Sequence, residues 1–275
     1  MTTPRIMGIL NVTPDSFSDG GRNEGLERAV KAALRLMEEG ADIIDIGGES
    51  TRPGAVEVDI KEEIRRTVPV IAALRDAARD FAEDPVISID TRKPEVAEAA
   101  ILAGADIWND VSALTFNPRS EQLAADLACP VIIMHAQGSP ETMQDNPQYG
   151  DAVFEVKDYL AKRLDALEFA GVDRANITID PGIGFGKRQE DNLMIFNRLS
   201  EFKSLGCPLL MGASRKSFIG RIDGSTADRR LAGSLAAALW SVQAGADILR
   251  VHDVAETVQA VRVWEAIADS DVGAP

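Results

Sequence analysis

Polar residues of a few chemical types recur where short apolar runs end. Asn11 follows IMGIL, Glu49 to Arg52 follow DIIDIG, Asp90 closes PVISID, and Asn109 and Asp110 close ADIWND. His135 closes PVIIMH, Asp180 closes ITID, Ser214 to Lys216 follow PLLMGA, and DILRVH carries Arg250 and His252. A carboxylate accepts a pair of parallel N–H donors, and an asparagine amide donates and accepts at once. Lysine donates to a carbonyl. An Arg-x-His pair on a strand puts both cations on one side, and with a following helix N-terminus it makes an anion site. No Ser-His-Asp or Cys-His set accompanies them. The chemistry indicated is the binding of a polar ligand and of an anion, without a protein nucleophile. Taken singly, each residue also reads as a turn former or a satisfied buried polar group; their recurrence at every run favours a shared site.

The elements that would position these residues alternate. The apolar runs are 6–10, 42–47, 85–90, 105–110, 130–135, 177–180, 208–213 and 247–252. They are short and rich in Ile, Val and Leu, which suits parallel strands buried on both faces. Between them, helical periodicity covers 25–39, 57–80, 94–103, 119–128, 151–170, 191–204, 228–244 and 253–267. Three helices end in the same way, in EEGAD, LAGAD and QAGAD, with glycine as a left-handed C-cap directly before a strand. Eight strand–helix units fit a single-domain (β/α)8 TIM barrel, in which chemistry sits at the C-terminal strand ends. A doubly wound open sheet is the runner-up, but NVTPDSFSDGG after the first strand is not its GxGxxG fingerprint. The barrel is expected over 1–267 and a frayed C-terminal tail over 268–275. Long Gly/Pro-rich loops at 13–22, 47–58 and 136–150 follow strands 1, 2 and 5, as expected for mobile lids on the catalytic face.

Composition narrows the partners. The net charge of −15 on 275 residues disfavours nucleic acid and anionic membranes. It also requires any phosphate site to be built locally from a few cations. The two cysteines, Cys129 and Cys207, each precede proline and an apolar run and read as buried strand entrances, too few for a disulfide framework. The N-terminus lacks the pattern of a signal peptide, and no apolar run approaches the ~18 residues of a membrane span. A cytoplasmic location is expected.

Eight segments, in order and one per strand–helix unit, resemble the dihydropteroate synthase family: GILNVTPDSFSDGG (8–21), DIGGESTRPGA (45–55), SIDTRKPEVAEAA (88–100), WNDVSA (108–113), MHAQGSPETMQ (134–144), IDPGIGFGK (179–187), GASRKSFIG (212–220) and LRVHDV (249–254). The resemblance implies a TIM-barrel transferase, homodimeric and Mg2+-dependent. It would join (7,8-dihydropterin-6-yl)methyl diphosphate to 4-aminobenzoate, giving dihydropteroate and pyrophosphate. It gives Asp180 the guanidine-like edge of the pterin, with Asn109, Asp90, Phe185 and Lys216 around the ring. Thr51, Arg250 and His252 take the diphosphate, and Asn11 the Mg2+. Phe17, Thr51, Pro53, Lys216 and Ser217 shape the aminobenzoate pocket. Asp90, Lys216, Arg52 and Asp15 act in catalysis, with loops 1 and 2 closing over the reaction. An SN1-like route and competitive inhibition by sulfonamides follow from the same resemblance.

The rivals carry their own signatures. A methyl transferase acting from a reduced folate to a corrinoid would need neither GESTRPGA nor the Arg250/His252 pair. A pterin-binding protein without activity would be expected to lose the metal ligand or that pair. An aldolase-like barrel would want a lysine within a strand, and none of the eight runs has one.

Overall fold

The computed structural model describes residues 3–12, 22–50, 55–78, 85–138, 143 and 145–270. Eight parallel strands alternate with helices, in the order β1 (Arg5–Asn11), α1 (Arg22–Glu38), β2 (Ile43–Gly47), α2 (Ile60–Ala77), β3 (Val86–Asp90), α3 (Pro94–Leu102), β4 (Ile107–Asp110) and α4 (Ser120–Leu127). They continue as β5 (Val131–Met134), α5 (Ala152–Ala170), β6 (Ile177–Asp180), α6 (Gln189–Asn197), β7 (Leu210–Met211), α7 (Ser217–Asp223), α8 (Leu231–Gln243), β8 (Ile248–Val251) and α9 (Val254–Asp269). The strands run β6-β5-β4-β3-β2-β1-β8-β7, and one bridge between Ile179 and Leu209 closes the ring. This is the TIM barrel that the strand–helix alternation predicts.

Local chemistry explains the boundaries. Asp59 caps α2 by accepting from the Lys61 amide at 2.9 Å, and Asp151 caps α5 by accepting from Val153 and Phe154. Gly40, Gly104 and Gly245, the glycines of the three repeated stops, all have φ near +100°.

Five details differ from the sequence expectation. β7 has only two residues, and Arg215, four residues beyond it, adopts φ 56°. The segment after it, read as a loop, holds the short helix α7. The helix expected over 228–244 starts only at Leu231, and that expected over 191–204 divides into α6 and a 3-10 stretch, Leu199–Leu205. The last helix passes the expected tail boundary and runs to Asp269.

Inside the barrel the strand period of two sorts side chains into layers. Met7, Ile43, Ile107, Ile132, Leu210 and Ile248 form a closed apolar cluster, separate from the larger core between strands and helices. Two residues further along their strands, Ile43, Ile107 and Ile248 give way to Asp45, Asn109 and Arg250. The lower barrel is therefore sealed by hydrocarbon, and the polar layer sits directly above it.

Candidate active site

The polar layer is one connected network. Arg250 donates from Nε to Asp45 at 2.6 Å and from a terminal nitrogen to Asp90 at 2.6 Å. Asn109 Nδ2 lies 3.3 Å from both Asp45 oxygens. Asp45 is fully buried, so it acts from behind on Arg250 and Asn109. Sequence reasoning missed Asp45 as a site residue. The available signal was a carboxylate in the middle of DIIDIG, a run otherwise destined for burial.

Asp90 does not cap the following helix. Thr91 Oγ1 takes the Lys93 amide instead, at 3.2 Å, which leaves Asp90 to face the barrel. Its Oδ2 meets Arg250, while Oδ1 is buried without a hydrogen-bond partner among the described residues. Burial pushes Asp90 up to about 7, opposed by Arg250 and reinforced by the negative charge of Asp45. The buried layer thus holds two carboxylates against one guanidinium and keeps one carboxylate oxygen unengaged. Burial also raises Asp110, to about 6, but both of its oxygens are used. They bind the Ser112 and Leu114 amides and hold a turn in which Ala113 and Leu114 adopt positive φ. Asp110 is a turn former.

Asp180 ends β6 and is buried. Its Oδ1 accepts the Gly182 amide at 2.7 Å. Burial pushes its pKa up, while Lys216, that amide, Lys187 and Arg250 pull the other way. Gly212 lies beside it: a Cβ there would be in van der Waals contact, 3.8 Å from Lys216 Nζ and 3.9 Å from Asp180 Oδ2. Lys216 donates to the Ile183 carbonyl and lies 4.7 Å above the half-buried Phe185 ring. Burial lowers its ammonium to about 8, against the pull of Asp180. Ser217, the next residue, is exposed at the start of α7.

The anion pair divides. Arg250 points into the barrel and is already held by two carboxylates. β8 ends at Val251, so the alternation does not extend to His252, which stays at the rim with Nδ1 3.1 Å from Ser214 Oγ. Asn11 is exposed at the end of β1, beside Gly47. Among the described residues, no three His, Cys, Asp or Glu side chains converge to hold a metal. Asp15, Phe17, Thr51, Arg52 and Pro53 lie outside the described residues.

A second buried network lies outside the barrel, at the root of loop 2. Lys93 Nζ bonds Glu49 at 2.5 Å and Glu63 at 2.6 Å, and all three are buried. Glu49 also accepts from Arg92 at 3.0 Å and from the Val58 amide at 2.7 Å. Its carboxyl stays below the usual range because the bonds from Lys93 and Val58 outweigh its burial. One side chain thereby joins residue 49 to residue 58, while Lys93 ties that joint to the turn after Asp90.

Comparison with known proteins agrees with this geometry. The profile of the family described as "Pterin binding enzyme" matches residues 7–252. The dihydropteroate synthase of Escherichia coli strain K12 is 47% identical over 266 residues, covering 97% of this chain and 92% of that protein. A Xanthomonas albilineans dihydropteroate synthase solved with 4-aminobenzoic acid superposes with a TM-score of 0.89 at 50% identity, covering 96% of this chain and 93% of that one. A Yersinia pestis dihydropteroate synthase in a sulfonamide drug complex gives 0.90 at 42% identity, covering 97% and 95%. Asp45, Asp90, Asn109, Asp180, Lys216 and Arg250 meet at the open end of a barrel whose whole length follows that family, and the chain belongs to the pterin-binding enzymes.

Proposed function

We propose that this chain is a dihydropteroate synthase, joining (7,8-dihydropterin-6-yl)methyl diphosphate to 4-aminobenzoate with loss of pyrophosphate. The observation that carries this reading is the set of donors and acceptors above the apolar floor. Asp180 offers a carboxylate to adjacent N–H groups, Asn109 a mixed donor and acceptor, and Lys216 a donor for a ring carbonyl. Phe185 and Lys216 wall one side. The near-complete coverage of relatives bearing that name supports the same reaction.

In the proposed chemistry the C–O bond between the methylene carbon and the diphosphate breaks, and its electron pair leaves with the diphosphate. The amine lone pair of 4-aminobenzoate then forms the new C–N bond, and the amine proton passes to solvent. An arylamine is nucleophilic at neutral pH, so the site needs no strong base. The surplus carboxylate around Arg250 suits a dissociative route, because positive charge developing on the pterin meets a preorganised negative field. His252 and the start of α9 lie at the rim, where the diphosphate would sit, with Thr51 in loop 2. Asn11 offers a hard oxygen donor there, and a Mg2+ ion held by Asn11 and diphosphate oxygens would neutralise the leaving group. Asp15, Phe17, Arg52, Pro53 and Ser217 complete the aminobenzoate side in this reading. A homodimer in the cytoplasm completes it; no described helix is long and apolar enough to cross a membrane.

The test is pyrophosphate release from the pterin diphosphate with Mg2+, with and without 4-aminobenzoate. Dihydropteroate formation establishes the reaction, and slow release without the amine supports the dissociative route. Tight pterin binding without release would favour the binding-protein reading.

Two outcomes follow. Sulfonamides should compete with 4-aminobenzoate, raising its KM without changing kcat; normal turnover in a large excess of sulfonamide would contradict this. Protonation of Asp90 removes the negative field, so kcat/KM for the pterin diphosphate should fall as pH drops through about 7. Asp45→Asn removes a like charge from beside Asp90 and should move that acid limb to lower pH. An unmoved limb would remove Asp90 from that role.

A further inference from the structure

Lys187 is almost wholly buried, and the reaction above does not use it. Among the described residues, no carboxylate lies within hydrogen-bond distance of it. Its Nζ instead reaches the Gly182 carbonyl at 2.8 Å, the Phe185 carbonyl at 3.1 Å, the His135 carbonyl at 3.2 Å and His135 Nδ1 at 2.9 Å. Burying an ammonium on neutral acceptors alone is costly, and here burial lowers Lys187 to about 7.

The surroundings show what this arrangement holds. The turn after β5 and the loop after β6 touch backbone to backbone. A Cβ on Gly182 would lie 2.0 Å from the His135 carbonyl oxygen, and one on Gly186 2.2 Å from that of Gln137. Both glycines have positive φ. Such close approach crowds carbonyl oxygens together, and the ammonium neutralises the crowding from inside. The same loop carries the Gly182 amide that binds Asp180, the Ile183 carbonyl that binds Lys216, and Phe185 beneath Lys216.

We propose that Lys187 is a positioning residue for the pterin site, an internal cation that locks the β6–α6 loop onto His135 and thereby sets Asp180, Phe185 and Lys216. The proposal rests on the pterin-transfer reading for its substrate but not for its geometry. It also fixes the state of His135. With Lys187 donating to Nδ1, the imidazole must be neutral and carry its proton on Nε2. Tyr149 and Tyr159 pack against that ring, at centroid distances of 6.1 and 4.9 Å. Desolvation and then the Lys187 charge drive the imidazole down to about 3.

Two measurements test this. The first compares wild type with Lys187→Met and Lys187→Arg, reading KM for each substrate and direct binding of the pterin diphosphate. Arginine keeps the charge but cannot aim three N–H groups from one nitrogen. Both variants should raise the KM and Kd for the pterin diphosphate about 10-fold or more, the scale of lost supporting contacts. The KM for 4-aminobenzoate, which meets only Lys216 of the three, should rise by a clearly smaller factor. An unchanged pterin KM, or both KM values rising by the same factor, would overturn the proposal.

The second measurement needs no variant of Lys187. The chain has only two histidines, so 15N-histidine-labelled protein shows two imidazoles, separable by His252→Gln. His135 should appear at pH 6 as the neutral Nε2–H tautomer with Nδ1 accepting a hydrogen bond. An imidazolium or an Nδ1–H tautomer would refute the assignment. Should the wild type bind the pterin diphosphate but release no pyrophosphate, the transfer reading fails while the binding and NMR results still decide the role of Lys187.

Discussion

Asp180→Asn is expected to lower kcat/KM for the pterin diphosphate by about 100-fold or more, with little change in the KM for 4-aminobenzoate. The geometry sets both the direction and the size. Oδ1 of Asp180 is already committed to the Gly182 amide. An asparagine would keep its oxygen on that amide and turn its NH2 toward the ligand, where adjacent N–H donors are to be received. A pair of charge-assisted hydrogen bonds becomes a donor facing donors, and losing even one such bond costs ~1.5–3 kcal/mol. The substitution also removes the nearby negative charge that favours the ammonium of Lys216, so Lys216 should deprotonate more readily. Fold stability should change little, because the side-chain volume is the same and the turn bond survives. Steady-state kinetics with each substrate varied in turn, beside a thermal melt, separate these effects. A variant with wild-type pterin KM would remove Asp180 from the pterin site.

The second large effect concerns stability. Lys93→Met should destabilise the fold by ~3–5 kcal/mol, the scale for deleting one partner of a buried ion pair. Glu49 and Glu63 would then face each other in the interior without the cation between them. At ~2–4 °C per kcal/mol for a chain of this size class, the melting temperature should fall by about 10 °C. Replacing all three residues by apolar side chains should recover most of the loss, because the penalty arises from unpaired charge. The triple variant should nevertheless release the joint between residues 49 and 58 that Glu49 makes. Urea unfolding of the single and triple variants decides this. A single variant as stable as wild type would mean that the two carboxyls take up protons or water at little cost.

The fold was readable in the sequence because period and punctuation agreed. Unalternating Ile/Val/Leu runs marked parallel strands, and the repeated Gly-Ala-Asp stops placed the helix ends. The ends of α6 and α8 and the whole of α7 were harder, since 3-10 turns and a seven-residue helix carry too few residues for periodicity to register. Asp90, Asn109, Asp180, Lys216 and Arg250 were visible as polar residues at strand ends, and the structure brings them together. Their connections were not visible. The distances from Arg250 to Asp45 and Asp90 span most of the chain, and no local pattern encodes a contact of that range. Lys187, Lys93 and Glu63 escaped for a different reason. Each stands in a segment that reads as an exposed turn or helix start, and only the fold shows that it is buried.

The apolar plug of Met7, Ile43, Ile107, Ile132, Leu210 and Ile248 makes the barrel a blind well. Everything that enters or leaves must use one mouth. A ligand resting on Asn109 and Asp180 lies at the bottom, and a second ligand placed above it blocks its exit. The deep partner must therefore arrive before the shallow one, and the joined product must withdraw before the bottom can be refilled.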